Sequence, residues 1–158
     1  MIVHPIPPLF NQNSKVLILG SFPSVKSREA EFFYGHTQNR FWSVIATVLG
    51  QQKPITVEDK KCLILENRLA LWDVIAECEI EGSADSTIRN VKANDLSVIL
   101  KNSAVEKIYV NGKTAEKYYN KYALAQTGIK AICLPSTSPA NAAWSFEKLV
   151  EAWKVIKQ

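Results

Sequence analysis

Lys15-Val16-Leu17-Ile18-Leu19-Gly20 is apolar from Val16 to Leu19 with no polar alternation, and it breaks at glycine into the turn-forming Ser21-Phe22-Pro23-Ser24. A strand of that kind must be buried on both faces, so the chain has to supply a covering layer on each side of it. Lys107-Ile108-Tyr109-Val110 repeats the pattern and stops at Asn111-Gly112, and Ile129 to Leu134 gives another run. Leu69-Ala70-Leu71-Trp72-Asp73-Val74-Ile75 reads either as a short strand or as a buried loop. Helical stripes lie between these runs. Phe41, Val44, Ile45, Val48 and Leu49 recur at helical spacing before Gly50, which predicts a helix beginning near Gln38. A second helix is expected from about Val57 to Asn67, a third behind Asn94 as N-cap with Leu96, Ile99 and Leu100, and a fourth from about Lys113 to Lys121. The last, capped by Ser145, carries Phe146, Leu149, Val150, Trp153 and Ile156. Alternation of strand and helix predicts an α/β fold in three layers, α/β/α, around a central, mainly parallel sheet of about four strands with right-handed crossovers.

At 158 residues and 47% apolar composition, the chain matches one domain spanning residues 1–158 with a single core. Cys62, Cys78 and Cys133 are odd in number and lack metal-ligand spacing, which argues against a disulfide framework, a zinc site or an iron–sulfur cluster. Met1 leads into Pro5, Pro7 and Pro8 rather than into a basic and then apolar leader, and no apolar run approaches the ~20 residues of a membrane span. The expectation is a soluble, cytoplasmic monomer without metal or organic cofactor. Its net charge of +4 is compatible with a polyanionic partner but is far from a basic nucleic-acid-binding tail.

In parallel sheets ligands bind beyond the carboxyl ends of the strands. Gly20 to Ser24, Asn111-Gly112 and Leu134-Pro135-Ser136-Thr137-Ser138 each follow an expected strand, so they should share one rim. That rim offers amides, hydroxyls, backbone N–H groups and aromatics, with His36 as the nearby imidazole; it has no nucleophile elbow and no phosphate-loop lysine. Glycosidases that act on sugars generally need two carboxylates, one of them to protonate a poor alkoxide leaving group.

His36-Thr37-Gln38-Asn39-Arg40-Phe41-Trp42 resembles the His-Pro-x-Asn-Arg-Phe-Trp segment of the mismatch-specific branch of the uracil-DNA glycosylase superfamily, with Thr37 in place of proline. Gly20-Ser21-Phe22-Pro23-Ser24, the Leu69 to Ile75 run, Gly82-Ser83-Ala84-Asp85-Ser86 and Ser138-Pro139-Ala140-Asn141-Ala142 are similar to the hypoxanthine-DNA, or DNA-deoxyinosine, glycosylase branch. The resemblance covers roughly Lys15 to Gln158. It implies a monofunctional enzyme of base excision repair that flips a deaminated nucleotide out of DNA and hydrolyses its N-glycosidic bond, hypoxanthine first and uracil second, leaving an abasic site. A nucleobase is a better leaving group than an alkoxide because its charge spreads over ring atoms, so donors and a positioned water suffice. The asparagine that holds water in the mismatch-specific branch is Phe22 here, and the resemblance shifts the catalytic role to Asn39, a neutral amide able to orient water or base but not to act as a general base. It implies base contacts from Gly20, Ser21, Phe22, Pro23 and Ser24, stacking on Tyr34 with Phe33 as its neighbour, and edge reading by Asn111. Ser136 and Ser138 would face phosphates, with Pro139, Ala140 and Asn141 at the wedge, where Ala140 is small.

Each of these residues also has an ordinary reading. Asn39 would cap a helix, Tyr34 would pack as core, Asn111-Gly112 and Gly20 to Ser24 would be turns, and Ser138 to Asn141 would be a loop into a capped helix. Phe41 and Trp42 read as core, Arg40 as an ion-pair or phosphate residue, His36 as structural or phosphate-facing, and Asp73 and Asp85 as pocket-shaping or capping acids. The rival function is a nucleic-acid or nucleotide binding module that kept the scaffold and lost hydrolysis, since Phe22 vacates the water-holding position.

Overall fold

The computed structural model describes residues 1–158. Its central sheet has β2 (Val16–Gly20) flanked by β3 (Leu69–Asp73) and β6 (Lys107–Asn111), with β7 (Ile132–Leu134) outside β6, in the order β3-β2-β6-β7 and parallel throughout. The ambiguous run at Leu69 is thus a strand. It pairs with β2 in register from Val16 with Leu69 to Gly20 with Asp73.

The side-chain period of two explains why β2 has no polar residue. Val16 and Ile18 enter one core with Phe41, Ile45, Leu149 and Trp153, while Leu17 and Leu19 enter the other with Ile75, Leu96, Ile99 and Tyr119. The first core is covered by α2 (Phe41–Leu49), α3 (Val57–Glu66) and α7 (Phe146–Trp153). On the other face lie α4 (Ser97–Leu100), α5 (Lys113–Tyr118) and a small antiparallel sheet of β1 (Ile2–Val3), β4 (Ile75–Glu79) and β5 (Arg89–Ala93), in the order β1-β4-β5. The architecture is three-layer α/β/α. Each fully buried aliphatic residue of β2 contributes roughly 1.5–3 kcal/mol relative to exposure. No helix is long and apolar enough to cross a membrane.

Several local expectations shift. Helix α2 starts at Phe41 rather than near Gln38 and ends, as expected, on Gly50 at φ 66°. Asn94 does not cap α4; its Nδ2 instead donates to the carbonyls of Asp73 and Ile75, holding the β3–β4 junction. The expected helix to Lys121 changes register in a π turn at Tyr119–Ala123 before α6 (Leu124–Thr127). The run from Ile129 narrows to the three residues of β7. Helix α1 (Val25–Ala30) and the antiparallel sheet are additions: α1 is too short to show a stripe, and β1 has two residues.

Three tryptophans fasten the segments that reach the rim. The indole N–H of Trp42 on α2 donates to Phe33 O, that of Trp153 on α7 to Pro135 O, and that of Trp72 on β3 to Ile6 O. Each ring buries apolar area and fixes a loop with its polar tip.

Candidate active site

At the carboxyl ends of β3, β2 and β6 a cavity of about 430 Å³ opens, within the size range of small-molecule sites. Gly20 to Ser24, Tyr34, Asn39, Asn111, Ser136, Ser138, Pro139 and Ala140 all line it. Asn141 does not. Its Nδ2 donates to Ser136 O, and its carbonyl accepts from the Arg40 guanidinium, which also bonds Trp144 O. Arg40 is therefore a staple for the last loop, bonded to carbonyls rather than to an acid.

Thr137, fully buried, is the hub of that loop. Its hydroxyl accepts from Asn111 Nδ2 at 3.0 Å and donates to Asn39 Oδ1 at 2.9 Å, and its backbone N–H donates to Asn111 Oδ1 at 3.1 Å. Gly112 permits the close approach, since a Cβ there would stand 3.0 Å from Ser136 Cβ and the residue has φ +95°. The Ser136 hydroxyl accepts from Ser138 N–H, and the Ser138 hydroxyl from Ala140 N–H, so both are held by the loop's own backbone.

The N-cap residue of α2 is Arg40 rather than Asn39, yet half of the Asn39 amide still serves the helix start. Oδ1 accepts from Phe41 N–H at 2.9 Å as well as from Thr137, which fixes the plane of the amide. Nδ2 has no protein acceptor and is not sealed off, so it is the free donor of this side chain at the cavity wall. The other half of Asn111's amino group donates to the Tyr34 hydroxyl at 3.3 Å. Tyr34 stacks one ring face on Phe41, centroids 3.9 Å apart and planes at 17°, and contributes to the cavity lining. It sits at φ 52°, a left-handed conformation that costs a non-glycine residue roughly 1–2 kcal/mol. Burial, with the Asp73 charge adding, holds the Tyr34 phenol far above its ordinary pKa, so it stays protonated.

Ser24 lines the cavity, but its hydroxyl accepts Ser27 N–H as the cap of α1. Phe22 is buried and meets the His4 ring edge to face at 5.9 Å. His36 also lines the cavity, with Nδ1 accepting from Gln38 N–H.

Two acids complete the wall. Asp73, at the end of β3 beside Gly20, is 4% exposed, and its Oδ2 accepts from His4 Nε2 at 2.7 Å. Asp85 approaches from a turn whose Ser83 and Gly82 accept from Val25 N–H and the Arg28 guanidinium. Asp85 is exposed as a residue, but partial desolvation of its carboxyl at the cavity wall pushes its pKa up, and the Asp73 charge adds to this. His4 and Thr137 were not among the site residues expected from sequence. Thr137 lies inside a motif that pointed to it, whereas His4 has no neighbouring signal and arrives only through the pairing of β1 with β4.

Relatives agree with this architecture. The family model described as the uracil DNA glycosylase superfamily matches residues 7–157. A protein named hypoxanthine DNA glycosylase from Methanosarcina acetivorans is 33% identical, covering 99% of this chain and 98% of its own length. Its namesake from Methanosarcina barkeri is 32% identical over 85% of each chain. The solution NMR structure of a candidate uracil DNA glycosylase from Methanosarcina acetivorans superposes with a TM-score of 0.83 at 32% identity, covering 99% of this chain and 96% of that one. With a cavity at the carboxyl end of a β3-β2-β6-β7 parallel sheet and a family match over nearly its whole length, the chain belongs to the uracil DNA glycosylase superfamily.

Proposed function

We propose that this chain is a monofunctional DNA glycosylase of base excision repair, releasing hypoxanthine first and uracil second from DNA and leaving an abasic site. The observation that carries the reading is the pairing, in one cavity, of the Tyr34 ring, backed by Phe41, with the Asn39 Nδ2 donor. An extruded base stacks on the ring face that Phe41 leaves free, an interaction worth ~1–3 kcal/mol. The relatives' names support the glycosylase class and the choice of hypoxanthine.

The hydrogen bonding of Asn39 sharpens its role. Both inward donors, Phe41 N–H and Thr137 Oγ1, end on its Oδ1, so the group it offers a ligand is a donor. A donor to a water oxygen does not make that water more nucleophilic, whereas a donor to a departing base stabilises the negative charge that develops on it. Asn39 therefore acts on the leaving base. Water captures the cationic sugar without an amide from the first loop, where Phe22 packs on His4. Asn111 spends both amino hydrogens on Tyr34 and Thr137, so it reads the base through the remaining Oδ1 lone pair and through the hydroxyl it orients. Ser136, Ser138, Pro139, Ala140 and Asn141 form the DNA-facing loop, with Pro139 and Ala140 exposed.

The test uses labelled DNA with a single deoxyinosine or deoxyuridine, followed by alkali to cut abasic sites. Strand breaks at deoxyinosine, fewer at deoxyuridine, are expected; binding without breaks at either would establish the non-hydrolytic module. Asn39→Ala should lower single-turnover release by about 100-fold or more while DNA affinity stays within a few-fold. Unchanged rates would remove Asn39 from the chemistry.

A further inference from the structure

We propose that Asp73, held by His4, reads the ring N–H of the base and so separates hypoxanthine and uracil from adenine and cytosine, the bases they derive from; the proposal rests on the glycosylase reading above. The two partners come from opposite ends of the sequence logic, one at the end of β3 and the other ahead of any motif. Asp73 is 4% exposed, and the His4 side chain is 3% exposed. Ile6 N–H donates to His4 Nδ1 at 3.1 Å, which leaves the ring proton on Nε2, where it is given to Asp73 Oδ2. The imidazole is therefore the donor of this pair and Asp73 Oδ2 the acceptor.

Oδ1 of the same carboxylate receives no hydrogen bond from the protein, and it is not sealed from solvent. Because Oδ1 is reachable from the cavity and has no protein donor, a ligand N–H can supply one. The neighbouring backbone is shaped around this oxygen. A Cβ on Gly20 would collide with Asp73 Oδ1 and would stand 3.4 Å from the Tyr34 hydroxyl. Carboxylate oxygen and phenol thus lie together at the hydroxyl end of the ring on which the base stacks. The phenol accepts from Asn111, which leaves its own proton to donate.

An acceptor without a donor of its own matches a ring N–H on the base edge. Hypoxanthine and uracil each present a ring N–H next to a carbonyl, where deamination has replaced the lone pair and amino group of adenine and cytosine; guanine and thymine share this edge and are not what Asp73 discriminates against. The N–H meets Asp73 Oδ1. Adenine and cytosine present the reverse, a ring-nitrogen lone pair next to an amino group. The lone pair would face the carboxylate, and the site is locked against exchanging roles because His4 holds the other oxygen. A carboxylate beside a departing anion does nothing to speed departure, so its use is discrimination, with Asn39 supplying the opposing donor.

The experiment measures affinity for DNA carrying 2′-fluoro analogues of deoxyinosine or deoxyadenosine, in which fluorine destabilises the cationic sugar and the bond stays intact. In Asp73→Asn, His4 Nε2–H still binds the amide oxygen, so an NH2 group replaces Oδ1 at the cavity. Wild type should prefer hypoxanthine, and the variant should lose about 10- to 100-fold of its hypoxanthine affinity while holding or gaining on adenine. An equal loss on both bases would overturn the proposal and leave Asp73 to water or to the fold. Should Asp73→Asn fail to fold, His4→Phe keeps a ring in place and removes the donor that holds the carboxylate; it should narrow the preference for hypoxanthine by several-fold, and an unchanged preference would also overturn the proposal. Equal wild-type affinities for the two analogues, with release of hypoxanthine from ordinary deoxyinosine DNA, would sink the role of Asp73 and spare the glycosylase reading. A wild type inert on deoxyinosine DNA would sink both.

Discussion

Thr137→Val tests whether the hub of the last loop is what aims Asn39. The substitution exchanges a hydroxyl for a methyl of similar size at a site with no exposed surface, so the change is chemical rather than steric. It removes the bond from Asn111 Nδ2 at 3.0 Å and the bond to Asn39 Oδ1 at 2.9 Å. Asn39 Oδ1 keeps Phe41 N–H, and Asn111 keeps Tyr34 for one hydrogen, so one half-buried N–H is left without an acceptor. Two neutral hydrogen bonds at ~0.5–1.5 kcal/mol each, offset by ~0.8 kcal/mol for the added buried methyl, give a net loss of about 0.2–2.2 kcal/mol. At ~2–4 °C per kcal/mol for a domain of this size, Tm should fall by no more than roughly 9 °C, read by calorimetry. The catalytic effect is separable from the stability effect. With one of its two anchors gone, the Asn39 amide turns more freely, and single-turnover release of hypoxanthine well below Tm should drop by about 10-fold or more. Thr137→Val and Asn39→Ala should then be strongly non-additive, the double variant releasing base no more than a few-fold slower than Asn39→Ala alone. Independent, multiplying effects would refute the reasoning, as would a Thr137→Val enzyme with wild-type rates.

Gly20→Ala puts a methyl against the Asp73 carboxylate, which His4 prevents from swinging aside; release of hypoxanthine should fall by at least ~10-fold, and stability by about 1–3 kcal/mol, in single-turnover and urea-unfolding measurements. Asp85 provides a pH test. Partial desolvation and the Asp73 charge raise its folded pKa above 3.8, so the fold binds this proton more tightly than the unfolded chain, and that stabilisation is complete below 3.8 and lost as pH rises through the raised value. Asp85→Asn should therefore raise Tm relative to wild type at pH 7, with the difference shrinking toward about pH 3 in a series of melting curves.

The unbroken apolar run of β2 dictated a strand buried on both faces, and with the helical stripes that was enough to read the parallel sheet and the three layers. The strand-end rule then gathered Gly20, Asn111 and Ser136 on one rim, because which end of a parallel strand carries the loops is a local matter of chain direction. Covering the second face was decided by tertiary structure. The two-residue β1 and the bulged β4–β5 pair have no period long enough to register in sequence, and they form because β4 and α4 must cover Leu17 and Leu19. Asn39 was legible as both cap and site residue, and only the three-dimensional bonding divided its amide, oxygen inward to Phe41 and Thr137, nitrogen toward the cavity. The pairing of His4 with Asp73 was beyond sequence reasoning altogether. A contact across 69 positions leaves no local pattern; it exists because β1 docks on β4 and Trp72 bonds Ile6 O, which brings one imidazole to the one carboxylate buried beside Gly20.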